Sequence, residues 1–298
     1  MDLEFHDDPA AFLDAAGGYL GAEPVISTAV STIADRAARE VEAGVAQHPR
    51  NWYAVARDTS GGVVGAAMRT APFEPHPMFV LPMPVDAAVE LARAVHARGE
   101  SAGGVNGVLP ATRACADELA RLEGGTVVET MHTRLFHLSE LVAPAPVEGR
   151  LRLAREDEIE LCFEWFEAFR RDADAQAGRT TGHDVLGLSK DDVLHRIRDG
   201  LISLWEDASR EVVHLTGANA PALGVARIGP VYTPERCRGR GFASAAVAQV
   251  SREMLAAGVR PCLFADQANP ISNLIYLRLG YQPLVDMVNL GVTTPIPA

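Results

Sequence analysis

The sequence predicts an α+β protein of two similar halves, each a mixed, mostly antiparallel twisted sheet flanked by helices. Three observations carry that expectation. The chain has 298 residues, about twice a usual domain. It is 48% hydrophobic and 22% charged, the balance of a globular protein, and no apolar run approaches the ~18 residues of a membrane span. The same order of elements then occurs twice, with little literal sequence in common.

The first half opens with helical material and continues with a hairpin, 52–58 (WYAVARD) and 62–70 (GVVGAAMRT), turning at Thr59-Ser60-Gly61. A helix at 85–98, a strand at 104–109, a helix at 111–123 and a strand at 126–138 follow from their apolar periodicities. Pro144 and Pro146 mark a linker within 139–150. Domains are therefore expected at 1–142 and 151–291, joined by 143–150 and followed by a loose tail at 292–298. In the second half, 156–171 places Ile159, Phe163, Phe166 and Phe169 on one helical stripe and Glu160, Glu164 and Glu167 on another. Those acids read as a solvated face or as a source of a general base. A hairpin of 201–207 and 211–218 turns at Ala208-Ser209-Arg210. A strand at 222–233, a helix at 242–257, a strand at 259–266, a helix at 270–279 and a strand at 284–290 complete the repeat.

The formal charge of −12 argues against nucleic-acid binding, which rests on clustered cations, and suits a cationic acceptor. Acids outnumber bases 20 to 11 over residues 1–150 and 19 to 16 over 151–298. Lys190 is the single lysine among 27 cations, which suggests coding in a GC-rich source. The start, MDLEFHDDPA, lacks the basic and apolar segments of a secretory signal, so a cytoplasmic location is expected. Cys115, Cys162, Cys237 and Cys262 show no zinc-ligand spacing and are expected as reduced thiols, with no metal site.

Residues 228–242 (IGPVYTPERCRGRGF) read as a strand, a basic glycine-containing turn and the start of a helix whose apolar positions are Ala243, Val247, Val250 and Met254. Such a turn directs backbone N–H groups into one concavity at a helix N-terminus, and Arg236, Arg238 and Arg240 add positive charge. Pyrophosphate is a natural guest. A second motif, 266–283 (DQANPISNLIYLRLGYQP), makes Asn269 an N-cap and Pro270 the first helical residue. Asn273 and Tyr276 then share one face, and Gly280 stops the helix. A Tyr at this place is also readable as a packed core aromatic only.

The two motifs together resemble the GNAT superfamily of acyl-CoA-dependent N-acetyltransferases, whose phosphate turn has the form Arg/Gln-x-x-Gly-x-Gly/Ala. Here it stands as Arg236-Cys237-Arg238-Gly239-Arg240-Gly241, and the resemblance covers about residues 151 to 290. It implies acetyl-CoA as donor, with Val231, Tyr232 and Thr233 on the strand that takes the pantetheine arm. The turn from Arg236 and Arg238 through Gly239, Arg240, Gly241, Phe242, Ala243 and Ser244 would hold the pyrophosphate, and Asn269 and Asn273 would lie along the arm. Tyr276 would protonate the departing thiolate, with the Val231 N–H polarising the carbonyl as a neutral amine attacks directly. Candidate bases are Glu206, Asp266, and Glu164 and Glu167 of the 156–171 helix; Asp266 is equally a cap for the loop after it, and Glu206 a solvent-facing residue. Cys237 has no His partner in sequence and is not expected to be a nucleophile. The first half departs from the pattern: Leu81-Pro82-Met83-Pro84-Val85-Asp86 offers neither glycine nor arginine, so this half is expected to bind no CoA.

The expected activity is acetyl transfer to a primary amine of a small molecule or short peptide, by a monomer or homodimer with no nucleic-acid or membrane partner. A catalytically silent acetyl-CoA sensor or scaffold is the alternative. A tandem transferase using aminoacyl-tRNA is disfavoured by the acidic charge and the intact turn.

Overall fold

The computed structural model describes residues 1–71, 76–176 and 188–293, with the backbone alone at 173–176. Two compact units emerge, Met1–Thr133 with Val285–Ala298, and Arg134–Leu284. This division corrects the expected domains 1–142 and 151–291. The final strand joins the sheet of the first unit and not that of the second half, to which the repeated order of elements assigns it. Alternation fixes which face a strand buries but not which strand it pairs with. The expected tail is also shorter, because Val292 and Thr293 finish that strand; residues 294–298 lie outside the described residues.

The first unit contains β1 (Asp2–His6), α1 (Pro9–Ala22), α2 (Thr28–Glu42), β2 (Trp52–Arg57), β3 (Val63–Arg69), β4 (Met78–Val80), α3 (Val85–Ala97), β5 (Gly104–Val108), α4 (Ala111–Glu123) and most of β6 (Thr126–His137). The second contains β7 (Arg150–Leu153), α5 (Ile159–Gln176), α6 (Lys190–Arg198), β8 (Ile202–Glu206), β9 (Val212–Ala218), β10 (Val225–Tyr232), α7 (Phe242–Ala256), β11 (Arg260–Asp266) and α8 (Pro270–Arg278). The closing strand is β12 (Gln282–Thr293).

In the first unit the strands lie in the order β1-β2-β3-β4-β5-β12-β6. The segment WYAVA of β2 is an unbroken apolar run because both its faces are covered. Trp52, Ala54 and Ala56 meet Leu91, Val95, Cys115 and Leu119 of α3 and α4 on one side. Tyr53 and Val55 meet Phe12, Leu20, Val30 and Ala34 of α1 and α2 on the other. Each such large side chain, fully buried, contributes about 1.5–3 kcal/mol. β4 pairs with β5 in parallel along its whole length, Met78 to Val80 opposite Val105 to Gly107. Gly107, at φ +144°, lets the strands close, since a Cβ there would lie 2.0 Å from the Val80 carbonyl oxygen.

In the second unit the order is β6-β11-β10-β9-β8-β7. Ile202, Leu204 and Leu215 pack on Cys162, Trp165 and Phe166 of α5 and on Val193 and Ile197 of α6. On the opposite face Trp205 and Val213 meet Cys237, Phe242 and Ala246, while Ile228 and Leu263 pack with Val247, Val250, Tyr276, Leu279 and Tyr281. The sheet is mixed and mostly antiparallel, and eight α-helices flank the sheets among the described residues. No described helix is long and apolar enough to cross a membrane.

Candidate functional site

β10 pairs with β11 only through its first three residues, Val225–Arg227 opposite Arg260–Cys262. The strands run on to Tyr232 and Asp266 beyond the end of that ladder, leaving a wedge. On its other side β10 stays with β9: Ile228 faces Ala218, Val231 faces Thr216 and Tyr232 faces Leu215. Between Ile228 and Val231 the register shifts across Gly229-Pro230, and Gly217 makes room for this bulge. A Cβ on Gly217 would sit 2.8 Å from both the Gly229 oxygen and Pro230 Cδ. A bulge re-aims the strand that follows, and an edge leaving its partner presents backbone groups to an extended ligand.

The turn from this strand to α7 has the form the sequence suggested. A single 3₁₀ turn at Glu235–Cys237 leads through Gly239 (φ +75°) to Gly241 (φ +85°), the N-cap of α7. Both glycines occupy left-handed conformations that side chains resist. No side chain caps the first turn of α7 and no acid lies in it. A 15-residue helix thus directs its N-terminal amides and the positive end of its dipole out of the turn, through Phe242, Ala243 and Ser244. No Cβ-contacting atom lies within 4 Å at Gly239, so the space above it is open.

The arginines of the turn are paired with carboxylates. Arg236 Nη2 donates to Glu211 Oε1 at 2.7 Å, and Arg238 Nη2 donates to Asp172 Oδ2 of α5. Arg240 lies 3.9 Å from Asp207 Oδ2 and over the Phe242 ring at 4.7 Å. Each cation has a carboxylate supplied by a residue distant in sequence. Arg238 Nε also donates to the Thr233 carbonyl at 3.0 Å, so that carbonyl is engaged by the turn itself.

Beneath the turn lies a residue sequence reasoning missed. His214 of β9 is fully buried, with Nδ1 2.7 Å from Thr233 Oγ1 and Nε2 2.8 Å from Thr216 Oγ1. Burial pushes its pKa down to about 3, so the ring is neutral. One ring nitrogen donates and the other accepts, and each threonine hydroxyl can adopt the complementary role. The available signal was a histidine inside the apolar run VVHLT with threonine two residues on.

The second motif holds locally as expected. The Asn269 side chain accepts from the Ile271 and Ser272 amides at 3.2 Å each, capping α8. The Asn273 amide donates to the carbonyls of Asp266 and Asn269, at 2.8 and 2.6 Å, tying the helix to the end of β11. Asp266 Oδ1 accepts from the Ala268 amide at 2.9 Å, so this carboxylate caps its own loop. Tyr276 is buried, its ring 6.3 Å from Phe136 and 5.9 Å from Tyr281, and burial raises its phenol to about 12.

Glu206 is placed against its expected role as base. Arg152 Nε donates to it at 2.5 Å and Arg150 through Nη2 at 2.8 Å, and these contacts hold its carboxyl below the usual range. A doubly paired carboxylate is a poor proton acceptor. Tyr232 instead faces α5: its ring meets Trp165 edge-on at 5.7 Å, and burial, then the charge of Asp172, raises its phenol, with Glu164 a smaller contributor. Cys115, Cys162, Cys237 and Cys262 are buried and form no disulfide. Among the described residues, no group of three or more His, Cys, Asp or Glu side chains could hold a metal.

Cavities of about 250 and 470 Å³ lie elsewhere, the first lined by Leu153, Ser203, Thr216, Val250 and Met254 and the second by Tyr19, Glu23, Val64 and Met83. No residue of the wedge or the turn lines either.

A parting parallel strand pair beside a glycine-rich turn at an uncapped helix defines a protein of the GNAT fold. Comparisons agree with this class. Residues 213–288, which include β9 from its second residue, the wedge and the turn, match the family described as FR47-like protein. A Drosophila protein solved by X-ray crystallography aligns over 98% of both chains with a TM-score of 0.65 at 14% identity. A GCN5-related N-acetyltransferase from Sphaerobacter thermophilus aligns over 98% of this chain and 96% of its own, with a TM-score of 0.60 at 16% identity. A GNAT-family acetyltransferase from Colwellia psychrerythraea aligns over 99% and 100%, with a TM-score of 0.56 at 10% identity. No curated protein matches the chain in sequence. The chain has the GNAT fold.

Proposed function

We propose that the protein is an acetyl-CoA-dependent N-acetyltransferase acting on a primary amine of a small molecule or short peptide. The observation that carries this reading is the wedge between β10 and β11 opening beside the Gly239–Gly241 turn. The wedge offers a strand edge to the pantetheine arm, and the turn offers amides to the pyrophosphate. Charged phosphates exchange for the carboxylates now paired with Arg236, Arg238 and Arg240.

In this mechanism a neutral amine attacks the thioester carbonyl directly, forming the C–N bond as the C–S bond breaks. The Val231 N–H, directly after the bulge, polarises the carbonyl oxygen; Pro230 has no N–H to offer. Tyr276, protonated at any physiological pH, donates to the departing thiolate. With Glu206 engaged by two arginines and Asp266 capping its loop, the acid assigned to take the ammonium proton is Glu164, whose charge reaches Tyr232. The acidic balance of the chain favours a cationic acceptor.

The test is thiol release from acetyl-CoA in the presence of aminoglycosides, polyamines, amino acids and short peptides. Amine-dependent release is expected, with Tyr276→Phe lowering turnover about 10²-fold or more while acetyl-CoA affinity stays within twofold. An unaltered rate in that variant removes Tyr276 from the mechanism. Acetyl-CoA binding with no release across all amine classes favours the silent sensor, a reading to which the buried, high-pKa Tyr276 also lends itself.

A further inference from the structure

His214 takes no part in the chemistry above, yet it is a fully buried imidazole with two short polar contacts. Its surroundings are apolar: Trp205 stands opposite it in the β8–β9 register, and Trp205 and the adjacent Val213 pack with Cys237 and Phe242. Cys237 belongs to the turn and Phe242 opens α7. An imidazole enclosed this way costs more than a methionine or leucine of similar size unless both nitrogens are used.

Both are used, and in different directions. Nε2 reaches Thr216, in the middle of β9 and opposite Val231. Nδ1 reaches Thr233, the first residue past β10, whose carbonyl takes the Arg238 Nε hydrogen bond. The path from β9 to the turn therefore runs through Thr216, His214, Thr233 and Arg238, each link a hydrogen bond or one residue's own backbone. Thr233 precedes Pro234, where the chain leaves the sheet, and β10 has by then lost its β11 neighbour. Nothing in the β10–β11 ladder fixes this strand end, so its direction rests on β9.

We infer that His214 is a positioning residue for the phosphate-binding turn: it cross-links Thr233 to β9 and thereby sets the direction in which the Gly239–Gly241 amides and Arg238 meet the cofactor. This deepens the reading under Proposed function and rests on it. A preset turn spends less of its binding energy on ordering, so the cross-link acts on cofactor affinity and not on the chemical step.

The two contacts provide the test. Thr216→Val and Thr233→Val each remove one hydroxyl from the same buried imidazole while keeping side-chain shape. A merely structural role moves both variants alike. The positioning role raises the acetyl-CoA Kd about tenfold in Thr233→Val and less than twofold in Thr216→Val, at similar losses of thermal stability and with kcat within twofold of wild type in Thr216→Val. A second pair covers the case in which a threonine variant does not fold. An Asn amide stands where Nδ1 does and a Gln amide where Nε2 does, so His214→Asn keeps near-normal Kd and His214→Gln loses about tenfold. Equal Kd shifts within either pair overturn the inference. Absence of acetyl-CoA binding by the wild-type protein instead overturns the function on which the inference rests.

Discussion

The two units build the same junction, a strand leading into a helix beside a parallel neighbour, and finish it in opposite ways. In the first unit β4 stays paired with β5 to its last residue, and Gly107 lets the strands close on each other. The chain then passes through Leu81-Pro82-Met83-Pro84, with Met83 packed on Gly65, where a Cβ would meet the Met83 Cβ at 2.4 Å. Asp86 in the first turn of α3 accepts from the Ala87 amide at 3.0 Å, so the helix end supplies its own anion. In the second unit β10 leaves β11 after Arg227, and two glycines at positive φ deliver the chain to an uncapped α7. The same strand–turn–helix arrangement yields a closed junction or an open one according to about six residues. Under the proposed function, the anion site belongs to the turn chemistry and not to the fold.

The largest effect that would sharpen this comparison is in the closed junction. Gly107→Ala places a methyl group 2.0 Å from the Val80 oxygen and 2.9 Å from Thr112 Oγ1, at a φ of +144°. A loss of about 3 kcal/mol is expected in chemical denaturation of the first unit, with acetyl-CoA affinity unchanged. A change in affinity would mean that the units are not separate in function. Next is Gly239→Leu in the open junction, which has room for a side chain but a φ of +75° and a cradle to obstruct. Acetyl-CoA affinity should fall about 100-fold or more, read by calorimetry, for a stability cost of only about 1 kcal/mol.

A smaller effect follows from His214. Its folded pKa of about 3 lies below the ordinary value of 6.5, so between these limits the unfolded chain takes up a proton that the folded chain refuses. The stability it confers is complete above about pH 6.5 and declines as pH falls toward 3. Relative to His214→Asn, wild type should lose about 2 kcal/mol more on going from pH 7 to pH 5. Parallel pH profiles for the two proteins would show that the ring is charged in the fold. The smallest expected change is in Asp172→Asn, which releases Arg238 from its carboxylate. The pair is more than a third exposed and screened by solvent, so acetyl-CoA should bind only about threefold more tightly. Weaker binding would show that Asp172 supports the turn and does not compete with phosphate.

Much of the open junction was legible in the sequence, because its signals are local. Asn269-Pro270 starts α8, and Arg238-Gly239-Arg240-Gly241 leads into α7, each within a few residues of where periodicity puts them. Both hairpins and the order of elements from β8 to α8 are local in the same sense. What the sequence hid is pairing over distance. The strand at 284–290 alternates as any edge or central strand does, and nothing in it names β5 as its neighbour. The acids that neutralise the turn arrive from positions 172, 207 and 211, and Glu206 is claimed by Arg150 and Arg152, some fifty residues earlier. Short elements also escaped: β4 and β7 span three and four residues, too few for a period to show.

The claim that the two junctions differ in function is tested most directly by calorimetric titration of the whole chain with acetyl-CoA, in wild type, Gly239→Leu and Asp86→Asn. One site per chain is predicted for wild type and for Asp86→Asn, with binding lost in Gly239→Leu. Two sites per chain, or one that survives Gly239→Leu and changes with Asp86→Asn, would contradict the account.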